Sequence, residues 1–128
     1  MERKKHILLV DDVSTNLRCE GEVLKGKYKM SMAKSGEQAL EILEKAKPDL
    51  ILMDIIMPGM DGYETMVKIK NNPLYADIPI IFLSGDVKSM TEKQGMEMGA
   101  AAYIYKPFDP DGLLEKIEKV LLEEDEAI

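Results

Sequence analysis

Short apolar runs alternate with segments of helical periodicity along most of the chain, and this alternation constrains the fold more than any other feature of the sequence. Four runs are of strand length and almost continuously apolar, at positions 7–10, 50–53, 78–83 and 100–105. Uninterrupted apolar runs are typical of strands that are covered on both faces, as in a parallel sheet. A fifth run, 28–33, alternates apolar and polar residues, which predicts an edge strand with one face in water.

The intervening segments have the length and period of amphipathic helices. Ser35 with Gln38 three residues later is a capping box that predicts the start of the second helix, and Asp109 followed by proline predicts the start of the last. The fourth helix, at 88–98, is the weakest, because Gly95 interrupts it. The third helix is predicted to follow Gly62, with Tyr63, Met66, Val67 and Ile69 as its apolar residues. The last helix is predicted to face the core with Leu113, Leu114, Ile117, Val120 and Leu121. Strand and helix alternate five times, which predicts an α/β domain with a parallel sheet and right-handed crossovers.

Length and charge limit the kind of protein that this chain can be. Its 128 residues suit one compact domain, with a core over about 5–122 and an acidic tail or linker at 123–128. Hydrophobic residues make up 45% and charged residues 32%, proportions that exclude a disordered chain. With 17 basic and 24 acidic residues the formal charge is −7, which argues against direct binding of nucleic acid or anionic membranes. The basic stretch at 3–5 is therefore expected to be solvated.

Cysteine usage and the lengths of the apolar runs bear on location. Cys19 is the single cysteine, so an intramolecular disulfide is excluded, and the chain has no set of Cys and His residues for a structural zinc site. No apolar run approaches the roughly 18 residues that a membrane span needs. We expect a cytoplasmic protein without membrane contact.

Polar side chains follow four of the predicted strands, at the point where each strand ends. They are Asp11, Asp12, Asp54, Ser84 and Lys106. Because ligands in open α/β sheets bind at the carboxyl ends of the strands, we expect these groups to converge. Three carboxylates in one place need a counter-ion, and a hard divalent cation such as Mg²⁺ meets that need. The ammonium and the hydroxyl suit phosphate oxygens, so the set is equipped for phosphoryl transfer onto an aspartate.

The motifs around these residues are those of a known family. They are Val-Asp-Asp at 10–12, Met-Asp at 53–54 with Met-Pro-Gly-Met-Asp-Gly at 57–62, Leu-Ser-Gly at 83–85, and Tyr-Lys-Pro-Phe at 105–108. Through them the chain resembles the receiver domain of two-component response regulators, of the chemotaxis-regulator type, over about residues 5–122. The resemblance implies a doubly wound, flavodoxin-like (βα)5 fold, with helices on both faces of a parallel sheet in the strand order 2-1-3-4-5.

The resemblance also implies a role for each carboxylate at the strand ends. Asp54 would accept the phosphoryl group. Asp12, Asp54 and the main-chain carbonyl of Ile56 would hold Mg²⁺ (or Mn²⁺), and Asp11 would act mainly through a bound water. The implied domain is a signalling phosphoacceptor that assists its own phosphorylation and dephosphorylation, and not an enzyme.

The other implied site residues respond to the phosphoryl group. Ser84 and Lys106 would contact the acyl phosphate, and Ser84 with Tyr103 would form the switch. A cis peptide bond before Pro107 would direct the lysine inward. The added negative charge would bias a loop and a helix between two states. The fourth helix is expected to be the moving part, since its composition makes it the least stable.

The resemblance implies partners on two surfaces. A sensor histidine kinase or a phosphotransfer domain would supply the phosphoryl group. A phosphorylation-dependent homodimer is another expected assembly. An output domain or a target protein would dock on the fourth helix, the fifth strand and the fifth helix. Met90, Met96 and Met98 have adaptable side chains that suit such docking.

Three other functions fit parts of the pattern. A Mg²⁺-dependent phosphohydrolase with an aspartyl-phosphate intermediate would carry a second aspartate two residues after the nucleophile, where this chain has Ile56. A flavodoxin-like electron carrier would need a phosphate-binding loop in place of Asp11 and Asp12. A receiver that binds partners without phosphorylation would not need all five site residues. Ile56 and Asp86 leave the lifetime of the phosphorylated state open.

Overall fold

The computed structural model describes residues 3–85 and 92–126. Within them, five strands and five helices alternate. The strands are β1 (His6–Val10), β2 (Lys29–Ala33), β3 (Leu50–Met53), β4 (Ile80–Ser84) and β5 (Ala102–Tyr105). The helices are α1 (Ser14–Leu24), α2 (Gly36–Lys45), α3 (Gly62–Lys70), α4 (Glu92–Glu97) and α5 (Pro110–Glu126). Asp86, Met90 and the first part of the predicted fourth helix lie outside the described residues.

The five strands form one parallel sheet in the order β2-β1-β3-β4-β5. This order confirms the predicted doubly wound fold and the edge position of β2. Val10 pairs with both Ala33 and Met53, so β1, β2 and β3 end at the same level. Ser84 pairs with Tyr105 at the ends of β4 and β5. The residues that follow the strands therefore lie along one edge of the sheet.

Successive strand residues are buried against helices on opposite faces of the sheet. One buried cluster joins Leu8 and Met53 to residues of α2 and α3. The other joins Leu9 and Leu52 to residues of α1 and α5. Because both faces are covered, β3 and β4 are buried at every position, which explains their uninterrupted apolar sequences. No helix in the described ranges is long and apolar enough to cross a membrane.

Two predicted helix starts are fixed by side-chain hydrogen bonds. The Gln38 N–H donates to Ser35 Oγ at 3.0 Å, and the Gln38 side-chain oxygen accepts from the Lys34 N–H. At the start of α5, the Gly112 N–H donates to Asp109 Oδ2 at 2.9 Å. These bonds satisfy backbone donors that have no partner within the helix, so both predicted starts are confirmed.

The helical period explains the inner face of α3, and the end of α5 differs from the sequence prediction. Thr65 is buried on α3, whereas Val67 is 46% exposed. At about 100° per residue, positions 62, 65, 66 and 69 share the inner face, and position 67 lies outside it. The acidic residues 123–126, expected in a loose tail, continue α5 as far as Glu126. There Lys5 Nζ lies 3.2 Å from Asp125 Oδ1.

Strands β4 and β5 each begin two residues later than their apolar runs. The Ile78 N–H donates to the Tyr75 carbonyl oxygen, and the Ala100 N–H donates to that of Gly95. Both amides are therefore used by the preceding turn or helix and not by a neighbouring strand. Hydrophobicity marks these residues as buried, but only the backbone hydrogen bonds decide where the strand begins.

Candidate functional site

Three aspartates lie together where β1 and β3 end. The Asp54 N–H donates to the Val10 carbonyl oxygen at 2.9 Å, which holds the two strand ends side by side. One carboxylate oxygen each from Asp11, Asp12 and Asp54 lies within 4.8 Å of the others. Asp11 is only 1% exposed, and the other two are half-buried. The structure thus brings together the three carboxylates that the sequence placed at strand ends.

Lys106 approaches this carboxylate cluster from the end of β5. Its Nζ lies 2.9 Å from Asp11 Oδ2 and 3.6 Å from Asp54 Oδ1. The Lys106 N–H donates to the Ser84 carbonyl oxygen at 2.9 Å, and the Lys106–Pro107 peptide bond is cis. Burial acts to lower the pKa of the Lys106 ammonium, but the hydrogen bond to Asp11 and the charge of Asp54 together raise it. Lys106 is therefore a charged ammonium at neutral pH.

The Asp54 carboxyl has a pKa above its ordinary value. Burial raises its pKa to about 6, with a further contribution from the negative charge of Asp11. Lys106 and the hydrogen bond from the Ile55 N–H oppose that rise. The Asp54 carboxylate at neutral pH is consequently an anion that would gain stability from an additional cation nearby.

The donor set fits a hard divalent cation. All three side chains offer carboxylate oxygens, which are the ligands that Mg²⁺ prefers. The cluster places three carboxyl groups near one ammonium, that of Lys106, so a divalent cation would offset the remaining negative charge. The cluster therefore could hold a divalent cation such as Mg²⁺.

Ser84, Tyr103 and Ile56 lie at different depths around the cluster. Ser84 is buried at the end of β4, beside the main chain of Lys106. The Tyr103 ring is buried on β5, with its centroid 6.3 Å from that of Phe82. Ile56, two residues after Asp54, is 53% exposed. The serine thus lies beside the lysine, the tyrosine ring lies within the core, and the isoleucine side chain faces solvent.

Glu20 is a fourth carboxyl group near the site that the sequence analysis missed. It lies on α1, is 2% exposed, and lines a groove together with Lys106 and Phe108. Burial raises its pKa to about 8, and the negative charge of Asp11 adds to the rise. Its position three residues after Leu17 puts it on the buried face of α1, so the helical period would have located it.

The fold and the carboxylate cluster together define a class of doubly wound α/β domain that has an acidic cluster at the carboxyl edge of its sheet. The response regulator receiver domain family matches this chain over residues 7–118, and the chain belongs to that family. The resemblance found in the sequence motifs is thereby confirmed. Receiver domains are signalling domains, so the broad class of function is established.

Several known proteins are similar to the chain. A probable cyclic di-GMP phosphodiesterase of Vibrio cholerae is 45% identical over 101 residues, which cover 79% of this chain and 23% of that protein. A solved CheY-like receiver domain protein from Methanospirillum hungatei is 31% identical with a TM-score of 0.90, covering 98% of this chain and 100% of that one. The receiver domain of a sensor histidine kinase from Pseudomonas aeruginosa, which has a magnesium ion coordinated in its active site cleft, is 27% identical with a TM-score of 0.84, covering 93% and 98%. The chain spans 23% to 53% of the length of the curated relatives that it matches.

Proposed function

We propose that Asp54 accepts a phosphoryl group from a phosphohistidine of a sensor histidine kinase or a phosphotransfer domain. The observation that carries this proposal is the convergence of Asp11, Asp12 and Asp54 with the ammonium of Lys106. An Asp54 carboxylate oxygen forms the new bond to phosphorus as the bond from phosphorus to the imidazole nitrogen breaks. The product is an acyl phosphate at the end of β3.

Asp12, Asp54 and the main-chain carbonyl of Ile56 would hold Mg²⁺ (or Mn²⁺), and Asp11 would act through a bound water. The cation supplies neutralisation of the charge that builds up on the transferring phosphoryl oxygens. The related receiver from Pseudomonas aeruginosa, with magnesium in its cleft, supports this assignment. The excess negative charge of the cluster gives the same support from this chain itself.

Lys106 and Ser84 respond to the phosphoryl group in this proposal. The ammonium, which pairs with Asp11 at 2.9 Å, moves to a phosphoryl oxygen, and the Ser84 hydroxyl donates to another. Tyr103, which packs on Phe82 of the neighbouring strand, then repacks against α4. Gly95 supports this coupling, because a Cβ at its position would lie 3.2 Å from the Tyr103 ring.

We infer that the output surface comprises α4, β5 and α5. Met96, Met98 and Tyr105 are exposed large apolar side chains on or beside these elements, and such side chains adapt to a docking partner. The partner is an output domain of the same polypeptide, a separate target protein, or a second phosphorylated copy. We place the domain in the cytoplasm, where histidine kinases present their phosphohistidine.

The experiment is phosphorylation of the purified domain by acetyl phosphate with Mg²⁺, followed by intact mass spectrometry. Wild type is expected to gain one phosphoryl group, and Asp54→Asn is expected to gain none. The matched control is Asp111→Asn, because Asp111 is an exposed aspartate in the first turn of α5, and its variant should be labelled like wild type. Equal labelling of Asp54→Asn and wild type would show that another group is the phosphoacceptor. Absence of labelling in wild type with Mg²⁺ would favour a receiver that works without phosphorylation.

A further inference from the structure

A basic cavity lies at the opposite end of the sheet from the carboxylate cluster. Its volume is about 490 Å³, and residues from three separate segments line it: the stretch before β1, the start of β2 and the end of α2. Because the strands are parallel, the starts of β1 and β2 are at the edge away from Asp54. The cationic residues of the basic cavity are Arg3, Lys4, Lys5, Lys29, Lys45 and Lys47.

The charge of the basic cavity is opposite to that of the whole chain. Six of the 17 basic residues line it, whereas the chain carries a formal charge of −7. Asp49 is the acidic residue in the lining. Lys5 and Lys47 also pair with exposed carboxylates at the rim, Asp125 at 3.2 Å and Asp77 at 3.1 Å. The remaining four cations form no ion pair within the described part of the chain, so their charge is available to a ligand.

Backbone and side-chain hydrogen bonds fix the wall of the basic cavity. The His6 N–H donates to Asp49 Oδ2 at 2.8 Å, and the Asp49 N–H donates to the His6 carbonyl oxygen at 2.7 Å. The Lys29 N–H donates to the Lys5 carbonyl oxygen, and His6 Nε2 lies 2.7 Å from Ser31 Oγ. The two lysines are therefore held next to each other by strand pairing. Burial lowers the pKa of the His6 imidazole and the charge of Lys29 adds to this, which indicates a positive local potential.

We propose that the basic cavity binds a compact anion with two or more phosphate groups, such as an inorganic or nucleoside polyphosphate. Lysine ammonium groups are point charges that pair well with phosphate oxygens, and several of them face one concave space. The volume lies within the range of small-molecule sites in proteins. The basic stretch at 3–5, expected from sequence to be merely solvated, supplies half of the six cations.

The acidic surroundings select a compact ligand over an extended polyanion. Asp125 and Asp77 border the cavity, and the acidic end of α5 continues beside it to Glu126. A nucleic acid strand that extended beyond the cavity would pass over these carboxylates, whereas a polyphosphate of cavity size meets only the cations. At physiological ionic strength charges farther than about 8 Å are largely screened, so the local cations dominate for the small ligand. The basic cavity shares no residue with the Asp54 site, and its occupancy is independent of the proposed phosphorylation.

His6 gives a direct measurement, because it is the single histidine of the chain and lies in the cavity wall. The experiment follows its imidazole carbon-bound proton by NMR while inorganic triphosphate is added without Mg²⁺, with adenosine triphosphate as a second arm. We expect saturable shifts with a dissociation constant below about 1 mM and a rise in the His6 pKa on binding. A stronger effect of the nucleotide would identify a nucleoside polyphosphate as the ligand, and equal effects would identify the phosphate chain alone.

Matched lysine variants test where the anion binds. Lys29→Gln with Lys45→Gln is expected to weaken binding by about tenfold or more, since charge-assisted hydrogen bonds are lost. Lys68→Gln with Lys116→Gln removes two exposed cations elsewhere on the surface and should leave the affinity unchanged. Both pairs of substitutions are at exposed positions, and circular dichroism checks that the fold is retained. A His6 signal that does not respond to triphosphate, or equal weakening by both variants, would overturn the proposal. Tighter binding of a DNA duplex than of triphosphate would also overturn it, in favour of an extended polyanion.

Discussion

The ammonium of Lys106 and the carboxylate of Asp11 are 2.9 Å apart, although 95 residues separate them in the sequence. Asp11 is 1% exposed and the Lys106 side chain 19% exposed, so the pair is mostly shielded from water. Breaking such a pair by removing one partner leaves a buried charge without compensation. Removing either partner should therefore destabilise the metal-free fold, and the pair places the lysine beside Asp54.

Substitution of this lysine should destabilise the metal-free domain. Lys106→Met is expected to lower the free energy of unfolding by about 3 kcal/mol in the presence of a chelator. Added Mg²⁺ should recover most of that loss, because it neutralises the same carboxylates. Urea denaturation with and without Mg²⁺ measures both effects. Lys5→Met is the control, since it breaks an exposed pair with Asp125 and should cost less than about 1 kcal/mol. Equal losses in the two variants would contradict the prediction.

The buried Glu20 carboxyl should make the domain less stable as pH rises. Its pKa is about 8 in the folded state against an ordinary value of 4.5, so between these values the folded state holds a proton that the unfolded chain has released. The contribution of the protonated Glu20 carboxyl to stability is fully present below pH 4.5 and is lost as the pH rises through about 8. We expect a decline on the order of 3 kcal/mol between about pH 5 and 8.

Denaturation of Glu20→Gln over the same pH range isolates this contribution. The raised pKa of Asp54 acts in the same direction at lower pH, so the relevant quantity is the difference between wild type and variant. The difference in free energy of unfolding between wild type and Glu20→Gln should change steadily as the pH rises to about 8. Glu22→Gln, an exposed neighbour on α1, should give the wild-type profile. Parallel profiles for wild type and Glu20→Gln would mean that the Glu20 carboxyl keeps an ordinary pKa.

Gly62 should be intolerant of a side chain. A Cβ at this position would collide with the Asp54 carbonyl oxygen and would lie 2.9 Å from Ile55 Cα, and both obstacles are backbone atoms. Gly62→Ala is therefore expected to cost about 2 kcal/mol of stability and to slow labelling by acetyl phosphate, because the Asp54 main chain must shift. Gly85→Ala is the matched control, since its nearest atom would be Lys106 Cβ at 3.8 Å. Normal stability and labelling of Gly62→Ala would show that the loop after β3 adapts freely.

The exposed Ile56 side chain should prolong the phosphorylated state. It lies two residues after Asp54, is 53% exposed, and has no polar group to orient an attacking water. Ile56→Asn is expected to shorten the half-life of the acyl phosphate by about fivefold, because an amide can position that water. Decay of labelled protein after removal of the phosphodonor measures the half-life. Val67→Asn, at a position on the outer face of α3 that is 46% exposed, should leave the half-life unchanged. If the acyl phosphate of Ile56→Asn had the same half-life as that of wild type, residues other than Ile56 would control the rate of hydrolysis.

Regular patterns in the sequence predicted most elements correctly, and the exceptions have local causes. The capping residues Ser35 and Asp109 located the starts of α2 and α5, because a capping signal depends on a few neighbouring residues. The apolar runs at 78–83 and 100–105 begin two residues before β4 and β5, because hydrophobicity indicates burial and not backbone hydrogen bonding. Glu20 was missed because a carboxyl side chain is normally an indicator of a solvent-exposed position.

Local periodicity and chain connectivity were enough to predict the order of elements, the parallel sheet and the polar residues at the strand ends, because they leave few other arrangements. Tertiary structure alone decided the ion pair of Lys106 with Asp11, the burial of Glu20 behind it, and the basic cavity assembled from three segments. These features depend on distances between residues that are far apart in the chain. Electrostatic energies change steeply with distance and burial, so they are settled only when the sheet and helices have packed.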